Sequence, residues 1–342
     1  MVAIGFALPV GSGIPAAVRW EFAEEIERLG YESFWYPHYV SRDIHGFDAL
    51  DVLCAVAVRT RRILLGTCVL QAPLYHPIDL ARRVVTLDHI SNGRYLFGIG
   101  IGWIPREFEN LGLPFKERSG RTTESLELMT RLWTEEEVTY EGKYYQVKEV
   151  VLLPKPITKP YPKIFIGGGY HTTQRGSPDA PRKPGFAPLA IKRIGRFGDG
   201  WIPAGEIAGR PAALREGIDK IKAAGKAVGR DIDEASFELS VVNYSGINID
   251  DDWAQAEKEA QKFYASRERR GFYQVQGNPS FDSLREGGSF GPPERVGARV
   301  RQWTAGSDVV RIKRIVIMFA SLDPLEQLRR FHEKVRPVLE TI

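Results

Sequence analysis

Short apolar runs alternate with helical patterns along nearly the whole chain. Ile4–Val10 reads as a strand followed by turn residues. Ala16–Leu29 reads as a helix with Val18, Phe22, Ile26 and Leu29 on one face, and Gly30 ends it. A strand at Ser33–Tyr36, a helix at Ala49–Arg59 and strands at Ile63–Leu70 and Tyr95–Ile101 come next. Lys163–Ile166 opens a fifth strand that runs into Gly167, Gly168 and Gly169. Further strands fall at Gly200–Pro203, Phe237–Asn243 and Arg314–Phe319. A last helix starting at Pro324 puts Leu325, Leu328, Phe331 and Val335 on one side.

Eight strands separated by helices predict an α/β fold, a (β/α)8 barrel of the TIM type, as a single domain over residues 1–342. The extra length falls in insertions after strands 4, 5 and 7. Strand four is followed by a loop, Trp103–Arg121, and a hairpin within Thr134–Pro162 that turns at Glu141, Gly142 and Lys143. His171–Pro188 follows strand five and Phe272–Pro293 follows strand seven, both rich in Gly and Pro. A doubly wound sheet would need a phosphate fingerprint after the first strand. Gly11 and Gly13 are followed by Ile14-Pro15-Ala16, with no third glycine.

The segment Arg62–Trp103 is the most informative. It reads as buried strand, helix, Asn92-Gly93 turn, and a second buried strand leaving through Gly98, Gly100 and Gly102. Glycines at alternate positions bare one face of a strand. That face has room for a flat ligand or for close packing inside the barrel.

Composition narrows the function classes. The 342 residues are 43% hydrophobic and 26% charged, ordinary values for a globular enzyme-sized chain. Forty-seven basic residues nearly balance 43 acidic ones, leaving +4. No basic run carries interleaved aromatics, so nucleic acid is not an expected partner. Cys54 and Cys68 lie in apolar segments and read as free thiols. The N-terminal apolar run is only strand-length, so we expect a cytoplasmic protein without membrane contact. No ligand spacing for a metal and no Gly-x-Ser-x-Gly elbow occurs.

The ordered landmarks resemble the bacterial luciferase-like family of flavin- and deazaflavin-dependent oxidoreductases. They include G-F-A-L-P-V at Gly5, S-F-W-Y-P-H at Ser33, L-G-T-C-V-L at Leu65 and T-L-D-H-I-S-N-G-R at Thr86. F-G-I-G-I-G-W at Phe97, Y-E-G-K-Y-Y at Tyr140, I-F-I-G-G-G at Ile164 and G-D-G-W at Gly198 continue the series. The resemblance implies a cofactor ring at the C-terminal mouth of the barrel. It implies a strand bulge at Cys68 and Val69, often with a non-prolyl cis peptide, backing that ring. Gly167, Gly168 and Gly169 would hold the cofactor phosphate, with Trp201 also binding the cofactor and Arg175, Arg182, Lys183 or Lys192 as sources of charge.

His38 is the expected acid/base residue, although Pro37 stands where the family usually has an acidic neighbour; packing against the ring is the other reading. His76 borders the site and His89 reads as structural, as does Asp199. Phe6, Trp35, Tyr75 and Trp103 are expected to line the mouth. Sugar-phosphate members carry a glutamate near Trp103, absent here, so the expected substrate is a small, moderately apolar organic molecule.

Coenzyme F-420 is the leading expectation for the cofactor. A reduced-FMN monooxygenase served by a flavin reductase is the alternative, with the loops near His171 and Phe272 as lids, and a flavin-binding protein without turnover is a third. A homo-oligomer is expected.

Overall fold

A computed structural model describes residues 2–8, 14–40, 46–171, 185–203, 207, 209–266, 281–282, 285, 288–305 and 309–340. Among these residues, eight parallel strands close on one another. In chain order they are Ala3–Ala7, Ser33–Tyr36, Leu64–Thr67, Tyr95–Gly100, Ile164–Gly167, Gly200–Ile202, Glu238–Val242 and Ile312–Met318. Each pairs with its sequence neighbour. Ala3–Ala7 pairs with Ile312–Met318, so no edge is left open. The predicted (β/α)8 barrel is the observed fold, with strand limits within a few residues of those expected; Pro9 and Val10 lie outside the described residues.

Helices pack around the barrel and start at its C-terminal rim. The second helix is Ala49–Arg59, as expected, capped by the Asp48 carboxylate. The hairpin is present as Val138–Glu141 against Gln146–Val150. Trp103–Arg121 is a correction: it is not a plain loop. Pro105–Asn110 is helical, Phe115–Glu117 is a 3-10 turn, and a long helix begins at Arg118. Pro105 presets the helical backbone angle at the first turn. The loop His171–Pro188 is described only at its base, where Tyr170–His171 pairs with Gly185–Phe186. Most of Phe272–Pro293 lies outside the described residues; its end, Ser289–Gly291, pairs in parallel with Ile247–Ile249.

Inside the barrel, Ala7, Trp35, Leu96, Phe165, Ile202, Val242 and Val316 form a core separate from the one beneath the helices. The N-terminal end is closed by charge. Arg314, 1% exposed, reaches Glu32 at 2.5 Å and Glu238 at 3.2 Å, and Lys163 binds Glu238 at 2.5 Å. Burial works to raise the Glu238 carboxyl, but Lys163 and Arg314 outweigh it, and the group lies below the ordinary carboxylate value.

Candidate active site at the C-terminal mouth

Strand three shapes the mouth. Leu65 pairs with Tyr95, whereas Leu70 pairs with Ile99, so one extra residue is taken up between them. The Cys68–Val69 peptide in this bulge is cis. The bulge explains the alternating glycines. A Cβ on Gly98 would come within 1.8 Å of the Thr67 carbonyl oxygen, and one on Gly100 within 2.7 Å of Val69. The bared face of strand four is therefore filled by the neighbouring strand. Of the two readings of these glycines, close packing describes Gly98 and Gly100. Val69 also leans over Gly167, where a Cβ would meet it at 3.0 Å. Gly102, with φ +74°, abuts Gln71 and Phe108.

The loops after strands two, three and four converge beside the bulge. His38, 3% exposed, follows strand two. Its Nε2 lies 2.8 Å from the Tyr75 hydroxyl, which donates to Asp48 Oδ2 at 3.1 Å. Its Nδ1 accepts from the Gln71 backbone N–H at 3.4 Å. Glu107 is fully buried on the helix after strand four. It accepts from the Val40 N–H and from Gln71 Nε2, each at 3.1 Å. The carboxylate thus ties the His38 loop to the loop after the bulge. Burial, followed by the Asp48 carboxylate, pushes the Tyr75 hydroxyl well above the ordinary phenol value, so it acts as a donor.

A second feature lies at the same rim, between the exits of strands four and five. A cavity of about 370 Å³ is lined by Ile101, Ser119, Phe186, Leu189, Arg193 and their neighbours. Arg193 is 3% exposed and has no carboxylate partner among the described residues. Its Nη2 donates to Ser119 Oγ and O, both at 2.7 Å, and Nε donates to Thr123 at 3.1 Å. Burial pulls its guanidinium down to about 10, and it stays protonated at neutral pH. Among the described residues this buried cation is held only by neutral oxygens, so its charge is left without a counter-ion. It sits on the helix Pro188–Phe197, which begins at this rim.

Several expected site residues stand elsewhere. Phe6 points outward into the layer under the helices, packed on Phe22, Tyr31, Phe319 and Phe331, because Gly5 and Ala7 take the inward positions. Trp35 faces inward but plugs the barrel: it is fully buried, bonds Ser33 Oγ at 2.9 Å and lies over Arg314. Neither lines the mouth. Trp201 is also fully buried, against the helix bearing Gly217, and its Nε1 donates to the Gly168 carbonyl at 2.6 Å. It braces the glycine turn from behind.

Within that turn the Gly168 amide already donates to the Ile202 carbonyl, although the space above its Cα is open. Gly169 lies against Trp201. Tyr75 and Trp103 are half-buried beyond the C-terminal ends of strands three and four. Cys68 is buried, and burial pushes its thiol up to about 12, so it is no nucleophile at neutral pH. His76 caps the helix Pro77–Ser91, His89 bonds the Lys155 carbonyl, and Asp199 pairs with Arg230. Arg175, Arg182 and Lys183 lie outside the described residues, and Lys192 is exposed.

Among the described residues, no cluster of His, Cys, Asp or Glu is placed to hold a metal, and no helix is long and apolar enough to cross a membrane. Asp48, Gln71, Glu107 and Arg193 were missed by the sequence reading. Arg193 did carry a signal, since it falls between Ile191 and Ile194 on the buried side of its helix.

A closed parallel barrel whose C-terminal rim gathers a strand bulge, a buried arginine and a buried histidine has the architecture of TIM-barrel enzymes, whose sites lie at that rim. The profile described as luciferase-like monooxygenase matches residues 6–175. The F-420-dependent glucose-6-phosphate dehydrogenase of Nakamurella multipartita is 32% identical over 74% of this chain and 74% of its own. The chain belongs to the luciferase-like monooxygenase family, whose relatives include dehydrogenases and monooxygenases. The corresponding dehydrogenase of Amycolatopsis mediterranei is 32% identical over 53% of this chain, and the match spans about half, 51%, of that relative.

Among solved structures, a monooxygenase from Streptomyces bottropensis superposes with TM-score 0.76 at 24% identity, covering 98% of this chain and 99% of its own. The oxygenating component of a type II Baeyer–Villiger monooxygenase from Pseudomonas putida, in complex with FMN, has TM-score 0.66 at 18% identity, covering 98% and 99%. These two likenesses concern the fold. Coenzyme F-420 and FMN are both represented among these proteins.

Proposed function

We propose that this chain is an oxidoreductase that transfers a hydride between coenzyme F-420 and a small, moderately apolar organic substrate. The observation that carries the cofactor class is Arg193, a buried cation without a carboxylate among the described residues that opens onto a rim cavity. Both F-420 and FMN carry a phosphate that would suit it. Arg193 and Ser119 would hold that group, Gly168 would leave room beside it, and Val69 would back the ring. When bound, the deazaflavin supplies two-electron hydride chemistry. The chain's own work is to orient the ring, keep water from it, and hold or release a proton at His38.

The F-420 reading is favoured over FMN by the dehydrogenase relatives that align over most of the chain. The monooxygenase reading rests on the likeness in fold and needs a reductase partner. A sugar phosphate is disfavoured as substrate. The resemblance leads us to expect a glutamate near Trp103 in such members, which its neighbours Gly102 and Ile104 do not supply, and Glu107, one turn later, is bonded to Val40 and Gln71.

Titration of the purified protein with F-420 and with FMN, followed by tryptophan quenching, tests the choice. Saturable F-420 quenching with weaker FMN binding is expected. Tight FMN binding with no response to F-420 overturns it.

A further inference from the structure

Pro37 and Tyr39 flank His38, so the histidine lacks an adjacent carboxylate in sequence. The fold supplies one from another element. We infer that Asp48 and Tyr75 are the positioning pair of His38: the carboxylate at the start of the second helix acts on the imidazole through the tyrosine hydroxyl. This rests on the reading above, in which His38 handles the substrate proton.

Proton accounting supports the inference. An ionised carboxylate only accepts, so the Tyr75 hydrogen is committed to Asp48 Oδ2 at 3.1 Å. The Tyr75 oxygen then turns a lone pair toward His38 Nε2 at 2.8 Å, which places the imidazole hydrogen on Nε2. On the other side of the ring, the Gln71 N–H points at Nδ1 at 3.4 Å and favours a lone pair there. Two independent contacts therefore select the same tautomer, with Nδ1 as the ring's acceptor.

Asp48 is itself held rigidly. Its Oδ1 caps the helix by accepting from the Leu50 and Asp51 N–H groups at 2.9 and 3.2 Å, which aims Oδ2 at Tyr75. Among the described residues, Arg83, Asp79 and Glu107 are the further charged groups near this chain of groups. Arg83 has its guanidinium 5.9 Å from the Tyr75 ring centroid and pairs with Asp79. Glu107 reaches the His38 loop through Val40 and Gln71. A helix cap has thus been joined to the site by one tyrosine.

The test compares wild-type protein with Tyr75→Phe and Asp48→Asn by long-range proton–nitrogen NMR of the histidine side chains, without cofactor. Asparagine also caps helices, and phenylalanine keeps the ring, so both variants retain the local packing. Wild type should show His38 as the Nε2–H tautomer, and both variants should show a mixed population. In turnover assays both should lose about tenfold in kcat with KM within about twofold, against about 10²-fold for His38→Ala.

Unchanged His38 nitrogen shifts in both variants overturn the inference. If the shifts move as expected but the wild-type protein turns over neither F-420- nor FMN-linked substrates, the proposed reaction fails and the positioning pair stands.

Discussion

The two ends of this barrel treat buried charges in opposite ways. At the N-terminal end Arg314 is matched by Glu32 and Glu238, and Glu238 by Lys163, with the indole of Trp35 above. At the C-terminal mouth, among the described residues, Arg193 has neutral partners only, and Gln71 Oε1 and Asn243 Oδ1 are buried with no hydrogen-bond partner. A buried polar group without its complement costs about 1–3 kcal/mol, more if charged. The fold spends stability at the C-terminal mouth, where we propose that the cofactor binds, and satisfies its charges at the other end. That difference separates architecture from site without any reference to relatives.

Arg314→Met leaves Glu32 and Glu238 facing each other in the barrel floor. It should cost about 3–5 kcal/mol, read from the urea midpoint. A loss below about 1 kcal/mol would mean the floor is not the anchor.

Arg193→Leu should do the reverse. Cofactor binding, read by tryptophan quenching, should weaken about 10–100-fold, since a charge-assisted hydrogen bond is worth about 1.5–3 kcal/mol. Stability should stay level or rise, because an uncompensated buried charge is gone. If Arg193→Leu lowers the urea midpoint but leaves cofactor binding unchanged, the two ends are alike and the anion reading fails.

The smallest effect concerns thiols. Burial pushes Cys68 from 9.0 up to about 12, and burial with Asp51 and Asp48 pushes Cys54 to about 11. The folded protein keeps protons that the unfolded chain releases near pH 9, so stability should fall as pH rises from 9 toward 12. Alkylation at about pH 8 should leave both cysteines unlabelled in the native protein and label both after denaturation. Rapid native labelling of Cys68 would show that the strand-three bulge opens.

Much of the fold was legible because the signals were local. Buried parallel strands write continuous apolar runs, and Ser33–Tyr36 and Ala49–Arg59 appear with the limits their patterns imply. The Trp103–Arg121 segment was misjudged because its short helix Pro105–Asn110 has too few residues to show a period. Which side an aromatic faces was harder to read. Phe6 and Trp35 sit on adjacent strands with similar sequence surroundings, yet one faces the helices and the other the barrel interior. Alternation fixes relative facing along one strand but not which face is inside.

The glycines of strand four teach a related lesson. Their spacing was visible, but their purpose was not, because the Thr67 carbonyl and Val69 that fill the bared face belong to another strand and a bulge.

The sequence by itself determined the eight strands and their helices, the family, and the candidate status of His38, since each rests on residues close together in the chain. Only the tertiary structure decided what surrounds them. Asp48, Tyr75 and Glu107 lie 10, 37 and 69 positions from His38, and Arg193 meets Ser119 across 74. Closing the barrel brings those loops to one rim, and hydrogen bonds a few ångströms long then assign roles that separation along the chain conceals.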